Sequence, residues 1–212
     1  MRIINGIEVL TTTNELVNPA HTAVLVIDMQ NGIVHRNGPC PADTLLGQII
    51  PRLGRLLAAA REARVLVTYA EFMHADARGA SLLDGPNLFC HRNKENVMSL
   101  AEDQQEALTI AELAPQPGDL VIRKNRASAF SYTPLDAYLK ARRIKSVLIT
   151  GTSTRGCVLM TAVDAQMHGY YPVVLRDCVA TGSPQAQEGA LAWMESEMAV
   201  LNSNEVLSAW NT

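Results

Sequence analysis

The stretch VLITGTSTRGCVLMTAVDAQMHGYYPVVLRD, residues 147–177, decides the fold. Val147 to Ile149 is an apolar run too short for a helix and bounded by Gly151, which predicts a strand buried on both faces. A tight turn follows from Gly151 to Gly156. Beyond it Val158, Leu159, Ala162, Val163 and Met167 recur at helical spacing, with Gly169 as the stop. Val173 to Arg176 is again a strand, ending near Asp177. Cys157 therefore falls where a strand end passes into a helix N-terminus. Unpaired backbone N–H groups and the positive end of the helix dipole favour an anion there. The spacing thus predicts a thiol that ionises below its reference value of about 8.5, beside amides placed to hold an oxyanion. The structural alternative for Cys157 is a small apolar residue filling the first helical turn.

Outward from this unit the same alternation continues. Ala23 to Ile27 is a buried strand that ends on Asp28, at the C-terminal end where open α/β sheets place their ligands. Met29 to Pro41 is a loop. Asp43 to Glu62 is a helix whose apolar positions share one face, interrupted by Pro51, which kinks it or marks its first turn. Val65 to Ala70 and Leu120 to Lys124 are strands, the latter closing on a charge. Thr133-Pro134 starts a helix that runs to about Arg142, and Ser183-Pro184 starts one that runs to about Glu197. Met198 to Leu201 is a final strand, with a terminal helix from Asn204. Residues 1–22 read as an irregular arm. Residues 71–118 are the least regular part and form a substrate-covering insertion, with a short helix in 100–113 signalled by the capping-box form Ser99-Leu100-Ala101-Glu102. The expected architecture is one α/β domain over residues 1–212. Its core is a doubly wound, mostly parallel six-stranded sheet flanked by helices, a Rossmann-type three-layer sandwich.

Composition narrows the function classes. The 212 residues are 48% hydrophobic and 18% charged, with a net charge of −3. That balance suits a compact enzyme, offers no basic footprint for nucleic acid, and contains no apolar run of about 20 residues to span a bilayer. Cys40, Cys90, Cys157 and Cys178 have neither metal-type spacing nor the density of a disulfide framework, which makes a reducing, cytoplasmic setting the default. Gly151 to Gly156 lacks both the P-loop and the dinucleotide spacing.

Asp28, Lys124 and, after a turn, Cys157 all stand at strand ends that a parallel sheet gathers on one edge. As a trio they are chemically coherent. A carboxylate can take the thiol proton and return it to a leaving amine, while a buried ammonium holds the carboxylate ionised and favours the thiolate. The motifs Val26-Ile27-Asp28-Met29-Gln30, Arg123-Lys124 with Ser128-Ala129-Phe130, and Gly151-x5-Cys157-Val158 with Asp164 resemble the isochorismatase-like cysteine hydrolases over residues 20–210. The resemblance implies that Asp28, Lys124 and Cys157 are a catalytic triad. It also implies a cis peptide between Thr152 and Ser153, and an oxyanion hole made by the Ser153 and Cys157 N–H groups. Assembly into dimers or tetramers is implied by it alone.

Having Cys157 favours the amidase side of that family. Thr154 to Val158 and Arg176 to Val179 are most similar to N-carbamoylsarcosine and maleamate amidohydrolases, and Gly85 to Asp119 to ureidoacrylate amidohydrolase. The expected activity is cysteine-dependent hydrolysis of a small amide or carbamoyl compound with release of ammonia, without cofactor or metal. Gln30, Phe72, Tyr132 and Arg155 are the expected pocket residues. Two departures stand out. Gly182 occupies the place of an arginine expected to pair with a substrate carboxylate, with Arg155 or Arg126 as substitutes. Glu71 and His74 lack the spacing of the nicotinamidase metal motif. Two rival readings are a vinyl-ether hydrolase of the isochorismatase type, working through Asp28 and Lys124, and a non-catalytic flavodoxin-like binding module in which Cys157 is core.

Overall fold

The computed structural model describes residues 2–74, 100–101 and 104–210. Its centre is a six-stranded sheet built from β3 (Thr22–Ile27), β4 (Leu66–Phe72), β5 (Leu120–Lys124), β6 (Ser146–Thr152), β7 (Tyr171–Ala180) and β8 (Ala199–Leu201). The spatial order is β5-β4-β3-β6-β7-β8, and every neighbouring pair is parallel. All six residues of β3 and all seven of β6 are buried, as central strands covered on both faces require.

The period-2 alternation of a strand sends successive side chains to opposite layers. Val24 and Val26 join Ile49, Leu53, Leu56 and Leu57 of α3 (Leu45–Glu62), with Val206 of α7 (Ser203–Trp210), on one face. Ala23, Leu25 and Ile27 face the other layer. There they pack with Leu135 and Leu139 of α4 (Leu135–Ala141), Ala162 and Ala165 of α5 (Leu159–Met167), and Leu191 and Met194 of α6 (Pro184–Glu197). Chain order runs outward one way from β3 through β4 to β5 and the other way from β6 through β7 to β8. The crevice between β3 and β6 is therefore the topological switch point, where such sheets bind ligands.

Gly151 makes that crevice possible. Its φ is +100°, and a Cβ there would lie 2.1 Å from the Ile27 carbonyl oxygen. No other residue lets β6 press this closely on the end of β3.

The structure departs from the sequence expectations in three places. The N-terminal arm is not irregular. β1 (Arg2–Ile4) and β2 (Ile7–Val9) form an antiparallel hairpin across Asn5 and Gly6, whose φ values of +51° and +80° suit a two-residue turn. A short helix α1 (Thr13–Leu16) follows, capped reciprocally by Thr12 and Glu15. The stretch from Met29 to Pro41 is not all loop, since a short helix α2 (Asn31–Val34) lies within it; Thr44 caps α3, accepting from the Gly47 N–H at 3.0 Å, and Pro51 lies inside α3, as expected, beyond its first turn. In 104–113 two 3-10 turns, Gln105–Ala107 and Ala111–Leu113, replace the expected short helix, whose signal residues Ser99 and Glu102 lie outside the described residues, as does most of the insertion. Among the described residues no helix is long and apolar enough to cross a membrane.

Candidate active site

Asp28, Lys124 and Cys157, which are 96 and 33 residues apart in the chain, converge at the switch point and are 4%, 2% and 7% exposed. Asp28 leaves β3 with φ +53°, a left-handed conformation that a side chain rarely adopts without a reason. Its N–H donates to the Ala70 carbonyl at 3.0 Å, holding the turn to β4. The Lys124 Nζ donates to Asp28 Oδ2 at 3.0 Å and to the Arg126 carbonyl at 3.2 Å, and lies 4.8 Å from the centre of the Phe72 ring. Among the described residues Asp28 Oδ1 is buried with no hydrogen-bond partner, and the Cys157 thiol lies near enough to this carboxylate for its charge to act on the thiol.

Burial sets the protonation of the trio, with charge as the correction. Burial raises the Asp28 carboxyl above the usual carboxylate range, although Lys124 and the thiol pull it back. Burial works against the Lys124 charge, but the Asp28 carboxylate beside it outweighs that and holds the ammonium more firmly than in water. The Cys157 thiol is pushed up to about 12, first by burial and then by the neighbouring Asp28 charge, against a smaller pull from Lys124. The expected low-lying thiolate is thus corrected: at rest Cys157 is a neutral thiol beside a carboxylate that can accept its proton.

The local backbone also differs from the expectation. Cys157 is not on the first turn of an α-helix but in a widened π-type turn, Thr154–Val158, with Gly156 at φ −122° and ψ −107°; α5 begins only at Leu159. The peptide between Thr152 and Ser153 is cis. Thr154 and Gln187, which sequence reasoning missed, tie the turn down. The Thr154 hydroxyl donates to Gln187 Oε1 at 2.7 Å, and Gln187 Nε2 donates to the Val179 carbonyl at 2.9 Å, all buried. Ser153 Oγ and Thr181 Oγ1 share a further hydrogen bond of 2.7 Å.

The four expected pocket residues separate. Phe72 is buried beneath Lys124 and packs against Leu100 and Ile33. Gln30 is fully buried and its amide is consumed by backbone: Nε2 donates to the Phe72 and Ala107 carbonyls at 2.9 and 2.7 Å, and Oε1 accepts from the Phe72 N–H at 2.7 Å. It clamps strand ends together. Tyr132 is 89% exposed beneath the Arg126 guanidinium, and Arg155 is exposed on the turn before Cys157.

Glu71 Oε1 accepts from the Thr109 hydroxyl and N–H at 2.8 and 3.2 Å, and His74 Nδ1 accepts from the Leu100 N–H at 3.1 Å. Among the described residues no three His, Cys, Asp or Glu side chains cluster as a metal would need. Cys40, Cys157 and Cys178 are free thiols. A cavity of about 780 Å³ lies between the segment Ile33 to Leu46 and a wall made by Thr152 and Ala180 to Gly182; Asp28, Lys124 and Cys157 do not line it.

An all-parallel sheet wound both ways from a switch point, with a cysteine, a carboxylate and an ammonium buried together there, defines an α/β protein of the cysteine-hydrolase type. The isochorismatase domain model matches residues 22–206, and the chain belongs to that family. It is 32% identical over 189 residues to the ureidoacrylate amidohydrolase RutB of Methylorubrum extorquens, covering 82% of this chain and 76% of that protein. The RutB of Enterobacter sp. (strain 638) is 32% identical over 192 residues, covering 84% of each. Among solved structures, a cysteine hydrolase from Pseudomonas syringae pv. phaseolicola superposes with a TM-score of 0.80 at 27% identity, over 92% of this chain and 95% of that one. N-carbamoylsarcosine amidase from Thermoplasma acidophilum shares the fold, with a TM-score of 0.70 at 24% identity over 87% of this chain and 97% of that one.

Proposed function

We propose that the chain is a cysteine-dependent amidohydrolase that opens the C–N bond of a small amide or carbamoyl compound and releases ammonia through a thioester. The family and its amidohydrolase relatives make it a hydrolase of C–N bonds other than peptide bonds. The observation that supports the finer reading is the burial of all three groups together: Lys124 Nζ donates to Asp28 Oδ2 at 3.0 Å, and the Cys157 thiol lies near enough for both charges to act on it.

In this reading Asp28 accepts the thiol proton as sulfur attacks the carbonyl or carbamoyl carbon and the S–C bond forms. The proton never has to leave a resting thiol held near 12 for water; it moves to the carboxylate as the bond forms. The Ser153 and Cys157 N–H groups hold the oxyanion of the tetrahedral intermediate. The C–N bond then breaks, and ammonia leaves with the proton from Asp28. Water attacks the thioester, gives its proton to Asp28, and the C–S bond breaks; the sulfur recovers its proton from the same carboxyl. Lys124 stays charged throughout, fixes Asp28 in place and offsets the negative charge of the attack.

The test is ammonia release by wild type and Cys157→Ala across ureidoacrylate, N-carbamoyl amino acids, maleamate, nicotinamide and simple ureides. Release that vanishes in the variant supports the reading. Turnover of isochorismate left unchanged in Cys157→Ala would replace it with ether hydrolysis.

A further inference from the structure

We propose that Thr181 is a positioning residue for attack by Cys157: its hydroxyl holds Ser153, and through Ser153 the N–H groups that receive the oxyanion. This rests on the hydrolase reading above and adds to it a residue outside the trio.

Thr181 reaches this place through an irregularity in the sheet. β6 and β7 pair in register up to Ile149 with Val174, and pair again at Gly151 with Val179. Leu175 to Cys178 therefore leave the ladder with β6 before the chain returns to it. Asp177 pins that excursion. Its carboxylate accepts the Ser203 N–H at 2.8 Å and the Ser203 hydroxyl at 2.6 Å, and its backbone carbonyl accepts from Arg52 of α3 at 3.3 Å. Bulged strands recur beside active sites because they re-aim the residues they carry. Here the returning segment, Val179 to Thr181, runs alongside the strand end that leads into Cys157.

Three successive hydroxyls on that strand end grip the returning segment. Thr152 Oγ1 donates to the Ala180 carbonyl at 3.0 Å, Ser153 Oγ and Thr181 Oγ1 share their 2.7 Å bond, and Thr154 reaches the Val179 carbonyl through Gln187. The middle contact differs from its neighbours in what hangs on it. The Ser153 carbonyl accepts the Gly156 N–H at 2.9 Å and the Val158 N–H at 3.2 Å, on either side of Cys157. The Ser153 side chain faces the same turn, since a Cβ at Gly156 would lie 3.8 Å from both its Cβ and its Oγ. Ser153 is thus tied to the turn by its carbonyl and to β7 by its hydroxyl. Thr181 is 7% exposed, so water does not readily take its place. Donors aimed at an oxyanion act only when accurately placed, and a displacement of about 1 Å can cost about 100-fold in rate.

The experiment compares wild type, Thr181→Val, Thr181→Ser and Ser153→Ala in two assays. The first times iodoacetamide alkylation of Cys157, read on its tryptic peptide, with and without acetaldehyde. Acetaldehyde protects the thiol as a hemithioacetal: the S–C bond forms, the carbonyl π bond opens, and the thiol proton ends on the new oxygen by way of Asp28. Thr181→Val and Ser153→Ala should weaken that protection about tenfold, the range of one hydrogen bond. Alkylation without aldehyde develops no oxyanion and should change less than threefold. The second assay measures kcat and KM on whichever compound of the panel above releases ammonia. Thr181→Val should lower kcat about 10- to 100-fold with KM changed less than threefold, as expected for a contact that matters only in the transition state. Thr181→Ser, which keeps the hydroxyl, should match wild type in both assays, and Ser153→Ala with Thr181→Val should be no worse than either alone. Protection unchanged in both variants, protection and alkylation lost in equal measure, no rescue by Thr181→Ser, or no protection of wild type would overturn the assignment. The two readings fail separately. Protection that depends on Thr181 in a protein that releases ammonia from nothing in the panel would sink the hydrolase reading, whereas ammonia release with a kcat indifferent to Thr181→Val would sink this one.

Discussion

Replacing Lys124 by Met should be costly in a way that its partner can reverse. The Lys124 side chain is 0% exposed and that of Asp28 5%, and their 3.0 Å contact joins two charges removed from water. Breaking a buried pair by deleting one member leaves the other charge uncompensated and costs about 3–5 kcal/mol. Neutralising both leaves neither stranded, so the Asp28→Asn, Lys124→Met double variant should be more stable than the sum of the two single losses by about 2 kcal/mol or more. The pH dependence has a definite sign. Burial already holds the Asp28 carboxyl above its usual range, and removing the ammonium leaves that push unopposed. A folded value above the unfolded one, about 3.9, means that protonation favours the folded state. The deficit of Lys124→Met is thus smallest below about pH 4 and grows as pH rises, until the folded carboxyl itself titrates. Urea unfolding of the four proteins from pH 4 to pH 8 reads all of this. Additive losses, or a deficit that does not change with pH, would refute the reasoning.

Further predictions follow from the same geometry. Iodoacetamide should modify Cys157 at a rate still climbing above pH 9, because the resting thiol is held near 12; a plateau below pH 8 would show a thiolate the site does not hold. Asp28→Asn should speed that alkylation at pH 8 while abolishing hydrolysis, since it removes the carboxylate that raises the thiol and leaves Lys124 in place; slower alkylation would contradict this. Gly151→Ala should cost about 3 kcal/mol or more in thermal or urea unfolding, combining a left-handed φ with a Cβ 2.1 Å from the Ile27 carbonyl oxygen. Gln187→Leu strands the buried Thr154 hydroxyl and Val179 carbonyl, costing about 1–3 kcal/mol, and should lower kcat at least tenfold by loosening the turn around Cys157; pairing it with Thr154→Val should recover part of the stability.

The sheet was legible because its strands announce themselves. Ala23 to Ile27 and Val147 to Ile149 are apolar runs that belong only in a strand covered on both faces, and the residues that end them fall on one edge of any parallel sheet. Asp28, Lys124 and Cys157 could therefore be singled out from strand ends and spacing before their contacts were seen. The hairpin at Arg2 to Val9 was missed despite its Asn5-Gly6 signal, because Ile3, Ile4 and Ile7 are exposed and contribute no core pattern. Gln30 shows a different limit: a polar side chain beside Asp28 reads as a ligand contact in the sequence, and the three backbone bonds that engage its amide appear only in the fold. The protonation of Cys157 was out of reach as well. A helix N-terminus can be read from spacing, whereas the burial and the neighbouring charge that reverse its effect depend on residues more than a hundred positions away.

The central claim is that Cys157 carries the reacting acyl or carbamoyl group. It is tested most directly by rapid acid quench of wild-type enzyme during turnover of ureidoacrylate or N-carbamoyl-β-alanine, followed by mass spectrometry of the tryptic peptide Gly156–Arg176, whose one cysteine is Cys157. The account predicts a thioester adduct on that peptide, formed within the first turnover, lost on chasing with buffer, and absent from Cys157→Ala. Steady release of ammonia with that peptide unmodified at every quench time would contradict it.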